Sequence, residues 1–295
     1  EGRQIRPLTP PGDHGRPARS PDEPGGAGER DDPQSGNLDI WLIDITRGAA
    51  SRFTFDPGMD AIPLWSPDGS RIVFSAIRGR PPDLYHQVSG GAGAEELLLQ
   101  SPAPKWPASW SRDGRYLAFV QEDPKTGFDV WVLPLAGDRK PFPVAQSPFA
   151  ESRPDFSPDP EGAPRWIAYG SDETGRFEVY VQSFAPGEKS LGRWQVSTAG
   201  GFMPRWRRDG KELFFVAPDR KLMAVEVESR PESFKAGVPR ALFDAKLDTG
   251  IGVRGLYNVS ADGKRFLINT PVEEATATPI HVVVHWTALQ KSVRP

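Results

Sequence analysis

The sequence predicts an all-β protein, a single six-bladed β-propeller over residues 1–295 with four antiparallel strands per blade. Three observations predict it. One turn motif recurs at a near-constant period. Strand-like runs follow it in a fixed order. The two ends of the chain add up to one repeat.

The turn reads Trp65-Ser66-Pro67-Asp68-Gly69, then Trp110-Ser111-Arg112-Asp113-Gly114, then Phe156-Ser157-Pro158-Asp159. It continues as Trp206-Arg207-Arg208-Asp209-Gly210 and Val259-Ser260-Ala261-Asp262-Gly263, with a degenerate first copy at Ser20-Pro21-Asp22. The anchors Asp22, Asp68, Asp113, Asp159, Asp209 and Asp262 stand 46, 45, 46, 50 and 53 residues apart. Proline at the second position fixes φ, aspartate bonds its own backbone two residues on, and glycine supplies the positive φ that returns the chain as a hairpin. The aromatic before the serine ends a strand and can pack into a core.

The elements follow in order. After five of the turns comes a run rich in β-formers: Arg71–Ala76, Arg115–Val120, Arg165–Gly170, Lys211–Val216 and Arg265–Asn269. A further run follows a polar loop: Leu38–Ile45, Leu84–Val88, Val130–Leu135, Glu178–Phe184, Met223–Val227 and Ile280–Trp286. A short one completes each set: Arg52–Phe55, Glu96–Gln100, Lys140–Val144, Trp194–Thr198 and Arg240–Asp244. With the strand entering each turn, that makes four strands per repeat of the length of a propeller blade.

Closure is a matter of arithmetic. Asp262 is followed by 33 residues and Asp22 is preceded by 21, together one repeat of 54. The last blade lacks a fourth strand, and Arg3–Thr9 resembles the fourth-strand segments (Arg6-Pro7-Leu8-Thr9 beside Arg52-Phe53-Thr54). The N-terminal strand is expected to pair with Ile280–Trp286, closing the ring and removing an exposed edge. In the first blade the stretch Glu23-Pro24-Gly25-Gly26-Ala27-Gly28-Glu29 carries proline and glycine where others carry large apolar residues. It is expected to make a poor strand and to be the least ordered part of the ring.

Composition narrows the function. Glycine and proline together number 62, too many for a helical bundle. Net charge is −3, so no basic field points to nucleic acid or an anionic membrane. There is no cysteine, which excludes disulfides, thiolate metal sites and thiol nucleophiles. No apolar run approaches the length of a membrane span. The first residue is Glu, and the chain reads as a processed product or a piece of something longer.

Catalytic motifs are missing too. There is no His-Arg-Asp, no Asp-Phe-Gly and no Gly-x-Ser-x-Gly. Gly250-Ile251-Gly252-Val253-Arg254-Gly255 matches a phosphate-loop string but leads into a turn rather than a helix, and reads as an inter-blade loop. His281 and His285 flank three valines, and on a strand they lie about 13 Å apart, too far to share an ion. The acidic pairs Asp31-Asp32, Glu122-Asp123 and Asp172-Glu173 read as turn formers on loops. Asn258-Val259-Ser260 overlaps an anchor turn and reads as a coincidental glycosylation string. No catalytic residue, metal site or cofactor is assigned.

Candidate binding residues come instead from the loops joining a fourth strand to the next first strand. In a propeller these share a face with the loops between second and third strands. They carry Asp60, Lys105, Trp106, Glu151, Arg153, Phe202, Arg205 and Arg254. Exposed Trp and Arg are favoured in binding hot spots, and loops on a rigid scaffold commonly carry function. The mixed charge suits a protein or peptide, with a small ligand as a further option, better than a polyanion.

The aromatic-led turn resembles the WD-like repeats of TolB-type six-bladed propellers, over essentially the whole chain. Tyr257-Asn258-Val259-Ser260-Ala261-Asp262-Gly263-Lys264-Arg265-Phe266-Leu267, followed by Pro279-Ile280-His281-Val282-Val283-Val284-His285-Trp286, is similar to the end of the propeller found C-terminal to bacterial serine/threonine protein kinases. Asp39-Ile40-Trp41-Leu42-Ile43-Asp44 with Arg52-Phe53-Thr54 is similar to the same group. The resemblance implies an extracytoplasmic (periplasmic or cell-surface) sensor ring, tethered through a membrane segment outside this chain. It implies a monomeric ring without membrane contact of its own. Two alternatives stay open: the gating propeller of a prolyl-oligopeptidase-type serine peptidase, and a TolB-like periplasmic transport component.

Overall fold

In the computed structural model every regular element among the described residues is a β-strand, and every pairing is antiparallel. The structure describes residues 4–7, 14–20, 25–44, 46–79, 81–91, 93–159, 162–187, 190–230, 232–247, 257–269 and 280–284. Anchor Asp22, the loop 250–255 with Arg254, and His285 lie outside them.

The strands form six sheets. After β1 (Gln4–Pro7) come β2 (His14–Arg19), β3 (Gly25–Asp31), β4 (Leu38–Asp44) and β5 (Ala49–Arg52), which form one sheet in sequence order. The next holds β6 (Asp60–Trp65), β7 (Arg71–Ala76), β8 (Asp83–Val88) and β9 (Glu96–Leu99). Then come β10 (Lys105–Trp110), β11 (Tyr116–Asp123), β12 (Gly127–Pro134) and β13 (Phe142–Ala145), and after them β14 (Glu151–Phe156), β15 (Trp166–Ser171), β16 (Glu178–Ser183) and β17 (Arg193–Gln195). A fifth sheet has β18 (Phe202–Trp206), β19 (Glu212–Val216), β20 (Lys221–Arg230), β21 (Ser233–Ala236) and β22 (Arg240–Asp244). The sixth contains β23 (Tyr257–Val259), β24 (Phe266–Asn269) and β25 (Ile280–Val284), with β1 as its edge: Gln4 pairs with Val284 and Pro7 with His281. The expected pairing of the chain's first strand with its last is thus present.

The chain divides into two compact units. One comprises Glu1–Pro107, Ala245–Ser260 and Lys264–Pro295, the other Ala108–Asp244 and Ala261–Gly263. In the first, Ile40, Phe53, Ile72 and Phe74 pack with the small Ala18, Ala27 and Ala76 between the sheets of β2–β5 and β6–β9. In the second, one cluster gathers Phe156, Ile167, Tyr169, Tyr180 and Phe184, and another gathers Trp166, Trp206, Phe215 and Phe234.

The turns are built as their residues demand. Ser66 Oγ accepts from Arg71 N at 2.9 Å and donates to Asp68 at 2.5 Å, while Gly69 holds φ at 71°. Ser111 repeats this, accepting from Tyr116 N at 2.9 Å and donating to Asp113 at 2.6 Å. Ser157 and Ser260 accept in the same way from Trp166 N and Arg265 N. The acidic loop residues also form turns: Asp32 Oδ1 accepts from Gln34 N and Ser35 N, and Asp123 Oδ1 from Lys125 N.

Three local expectations need correction. Gly25–Asp31 is a full strand, paired with both β2 and β4. Its backbone ladder is satisfied on both sides, and Phe53 and Phe74 fill the volume that Ala27 leaves. The run Arg52–Phe55 is displaced, because β5 ends at Arg52 and Phe53 and Thr54 turn inward onto Ile40. Finally, the hairpin β20–β21 was not expected. It sets Phe234 against Trp166, Trp194 and Trp206 at centroid distances of 5.4, 5.8 and 6.2 Å.

Candidate functional site

When the first strands are aligned on the aromatic that ends each of them, Asp60, Lys105 and Glu151 fall at one position, the opening residue of β6, β10 and β14. They were expected as exposed loop charges. The structure buries them, at 0%, 0% and 2% exposure. Each opens a strand instead of lying in a loop, so its side chain turns into the sheets and meets an internal partner. Lys105 Nζ lies 2.6 Å from Asp83 Oδ1. Asp60 Oδ1 stands 2.7 Å from Arg78 Nη2, and burial pushes its carboxyl up to about 7 against the pull of that arginine. Glu151 accepts from the Ser147 hydroxyl, and burial together with the Asp129 carboxylate raises it above the usual range. Glu151 Oε2 and Asp129 Oδ1 have no hydrogen-bond partner.

Trp106, Arg153, Phe202 and Arg205 are half-buried and keep part of their surface in solvent. Local backbone geometry aims Arg153, Phe202 and Arg205. In β6, β14 and β18 the residue before a proline has positive φ: Ile62 58°, Arg153 56° and Met203 56°. At that point each strand slips register against its neighbour, as β2 does between Gly15 and Ala18. A bulge of this kind re-aims the side chains beside it, and the φ of a non-glycine residue there is sustained only by its surroundings. In the second unit the bulged strands share a node. Asp155 accepts from Ser109 Oγ at 3.0 Å and Trp206 N at 2.9 Å, with Arg205 Nη1 at 4.0 Å. Burial raises its carboxyl. Arg205 also donates to the Pro204 carbonyl at 3.0 Å.

One recurring feature was not drawn from the sequence, although it is written there. The triplets Asp39-Ile40-Trp41, Asp83-Leu84-Tyr85, Asp129-Val130-Trp131 and Glu178-Val179-Tyr180 repeat an acid, an aliphatic and an aromatic. All four acids are buried. Each ties its third strand to the end of the fourth strand or to the segment that follows it. Asp39 meets Arg52 at 2.8 Å and Asp83 meets Lys105 at 2.6 Å. Asp129 accepts from Gln146 Nε2 at 3.0 Å, and Glu178 accepts from Gly200 N at 2.9 Å. The aromatics carry cations: Arg30 over Trp41, Arg78 over Tyr85 and Arg193 over Tyr180, at 4.9, 5.4 and 4.5 Å. The last two belong to charge-reversed clamps, Arg78 with Glu95 and Glu173 with Arg193.

Among the described residues no group of three His, Cys, Asp or Glu side chains is placed to hold a metal ion. No helix among them is long and apolar enough to cross a membrane.

Six antiparallel sheets, with a serine–aspartate turn recurring along the chain and the first strand paired to the last, define an all-β protein of the propeller class. The chain belongs to the TolB beta propeller domain family, whose model matches residues 9–159. Among solved structures it is similar to a putative TolB from Agrobacterium tumefaciens, with a TM-score of 0.63 and 15% identity over 80% of this chain and 89% of that one. It is similar to TolB from Acinetobacter baumannii, with a TM-score of 0.62 and 15% identity over 92% of this chain and 63% of that one. A puromycin-hydrolyzing peptidase from Mycobacterium tuberculosis matches with a TM-score of 0.59 and 18% identity over 87% of this chain and 43% of that one. At these identities the likeness is one of fold.

Proposed function

We propose that this chain is a non-catalytic recognition module, a single six-bladed ring over residues 1–295 closed by its N-terminal strand. Its partner is a protein or peptide, with a small ligand as a variant of the same reading. It acts outside the cytoplasmic membrane as a monomer, as the sensor portion of a bacterial serine/threonine kinase, and uses no cofactor, nucleic acid or direct membrane contact. The observation that carries the recognition reading is the bulge repeated in β6, β14 and β18. It holds a costly backbone geometry at the strand openings, where Arg153 and Arg205 remain partly in solvent. With Trp106 and Arg254 these form the contact set.

The test is capture of a native partner by the wild type and by an Arg153, Arg205, Arg254 triple alanine variant. Reduced recovery supports the reading. Equal recovery by two folded proteins moves the site elsewhere. Truncating Trp106 or Arg205 alone should cost about 1–3 kcal/mol of binding. The purified chain should show no kinase, peptidase or ATP-hydrolysing activity.

A second reading is favoured by the likeness to the M. tuberculosis peptidase and to a prolyl endopeptidase, of which this chain covers 43% and 40%. In it the ring gates a serine peptidase. A TolB-like transport component is the third, favoured by the family match. Reading the neighbouring coding sequence for a kinase, a hydrolase or neither separates the three.

A further inference from the structure

The first unit displays two exposed apolar side chains on one short loop. Loop 53–59 joins β5 to β6 and carries Phe55 at 72% exposure and Met59 at 37%. Isolated exposed apolar residues are common and need no explanation. This loop differs because it is fastened along its length. Asn37 Nδ2 donates to the carbonyls of Asp56 and Gly58 at 3.1 and 3.2 Å. Gly58 N donates to Asp56 Oδ1 at 2.7 Å, and Ile77 N to the Met59 carbonyl at 2.9 Å. A Cβ on Gly58 would lie 1.9 Å from the Ile77 carbonyl oxygen, so the loop is seated directly on its neighbour. Arg52 lies over the Phe55 ring at 5.2 Å and holds the Thr54 carbonyl at 2.8 Å. Phe55 is therefore presented in a fixed position, which lowers the entropic cost of a partner meeting it.

The surrounding charge selects the partner. Arg52 faces Asp32 and Asp39, and Arg78 faces Asp56, Asp60 and Glu95. Two guanidinium groups thus answer five carboxyls, of which Asp39 and Asp60 are buried while Asp56 and Glu95 keep part of their surface in solvent. We infer that loop 53–59 is a docking site for an extended segment of another protein in which basic and apolar residues alternate. The apolar residues would rest on Phe55 and Met59, and the basic ones would face the partly exposed carboxylates of Asp56 and Glu95. This rests on the recognition reading above and adds a contact point to it in the first unit.

The probes are a short peptide alternating lysine with phenylalanine and leucine, and its glutamate counterpart, added to the isotope-labelled full chain. The lysine peptide should shift the amide resonances of loop 53–59 and Asn37. The glutamate peptide should bind at least about tenfold more weakly. A Phe55→Ala, Met59→Ala double variant should lose about tenfold in affinity for the lysine peptide, with its melting temperature unchanged. Equal binding of the two peptides, or equal binding by the double variant, overturns the proposal. Shifts confined to Trp106 or Arg205 also overturn it and leave the recognition reading standing. Capture of a native partner that is lost in the triple arginine variant but kept in the double variant has the same consequence. Loss of association with anionic vesicles in the double variant, without peptide binding, assigns the loop to lipid and overturns it too.

Discussion

Replacing Asp60 by asparagine should change how stability depends on pH. Asp60 is fully buried and its carboxyl is raised from 3.8 to about 7, first by burial and in opposition to Arg78. Between those values the folded protein holds a proton that the unfolded chain releases. The contribution of this group is therefore complete below about pH 4 and is lost as pH rises through 7. A displacement of roughly three pH units corresponds to about 4 kcal/mol as an upper figure. Relaxation around the charged pair brings the expected change to about 2–4 kcal/mol. Asparagine keeps the shape and cannot ionise. Urea unfolding of both proteins at several pH values from 5 to 8 isolates the group, because every other titrating residue is shared. The stability of Asp60→Asn relative to wild type should rise with pH up to about 7 and level off above it. Parallel stability curves would refute the assignment of a buried, proton-binding Asp60.

Lys105→Met should destabilise by about 3–5 kcal/mol in urea unfolding, because it leaves the buried Asp83 without its 2.6 Å partner. Ser111→Ala removes the acceptor of Tyr116 N and the donor to Asp113, and should cost about 1–2 kcal/mol in the same assay. Gly58→Ala forces a methyl group onto the Ile77 carbonyl, and a loss of about 1–3 kcal/mol, or more, should appear as a lower melting temperature. Deleting residues 1–10 should lower the melting temperature markedly and promote association, since β25 then presents an unpaired edge.

What the sequence disclosed follows from the range of the forces involved. The Ser66–Asp68 and Ser111–Asp113 turns are local, a hydroxyl, a carboxylate and a glycine within five residues, so their spacing revealed the repeat. Strand Arg71–Ala76 was legible to the residue because five of its six positions are apolar or small and it ends at polar turns. Strand β3 was not, because glycine and proline say little about a strand whose packing volume is supplied by Phe53 and Phe74 from elsewhere in the chain. The candidate site was the least legible part. A charged residue after a turn reads as solvated, and nothing near Lys105 in sequence announces that Asp83, 22 positions earlier, will receive it. The acid–aliphatic–aromatic triplet did announce such an acceptor, four times over, and aligning the third strands rather than the turns would have found it.

The pairing of β1 with β25 has a consequence for how the protein is made. Gln4 and Val284 are 280 positions apart, so this contact has nearly the largest sequence separation the chain allows. At roughly 5–20 residues per second, the N-terminal strand leaves the ribosome on the order of half a minute before its partner is synthesised. During that interval the other sheets, built from neighbouring strands, can form through local contacts, while β1 has no mate. The last step of folding must then be a long-range capture, slow by its topology and exposed to pairing with another chain. Joining the two ends and opening the chain at an inter-sheet loop, so that β25 and β1 become one hairpin, would make every sheet local. A permuted protein of that kind should fold faster and aggregate less during synthesis while reaching the same native structure.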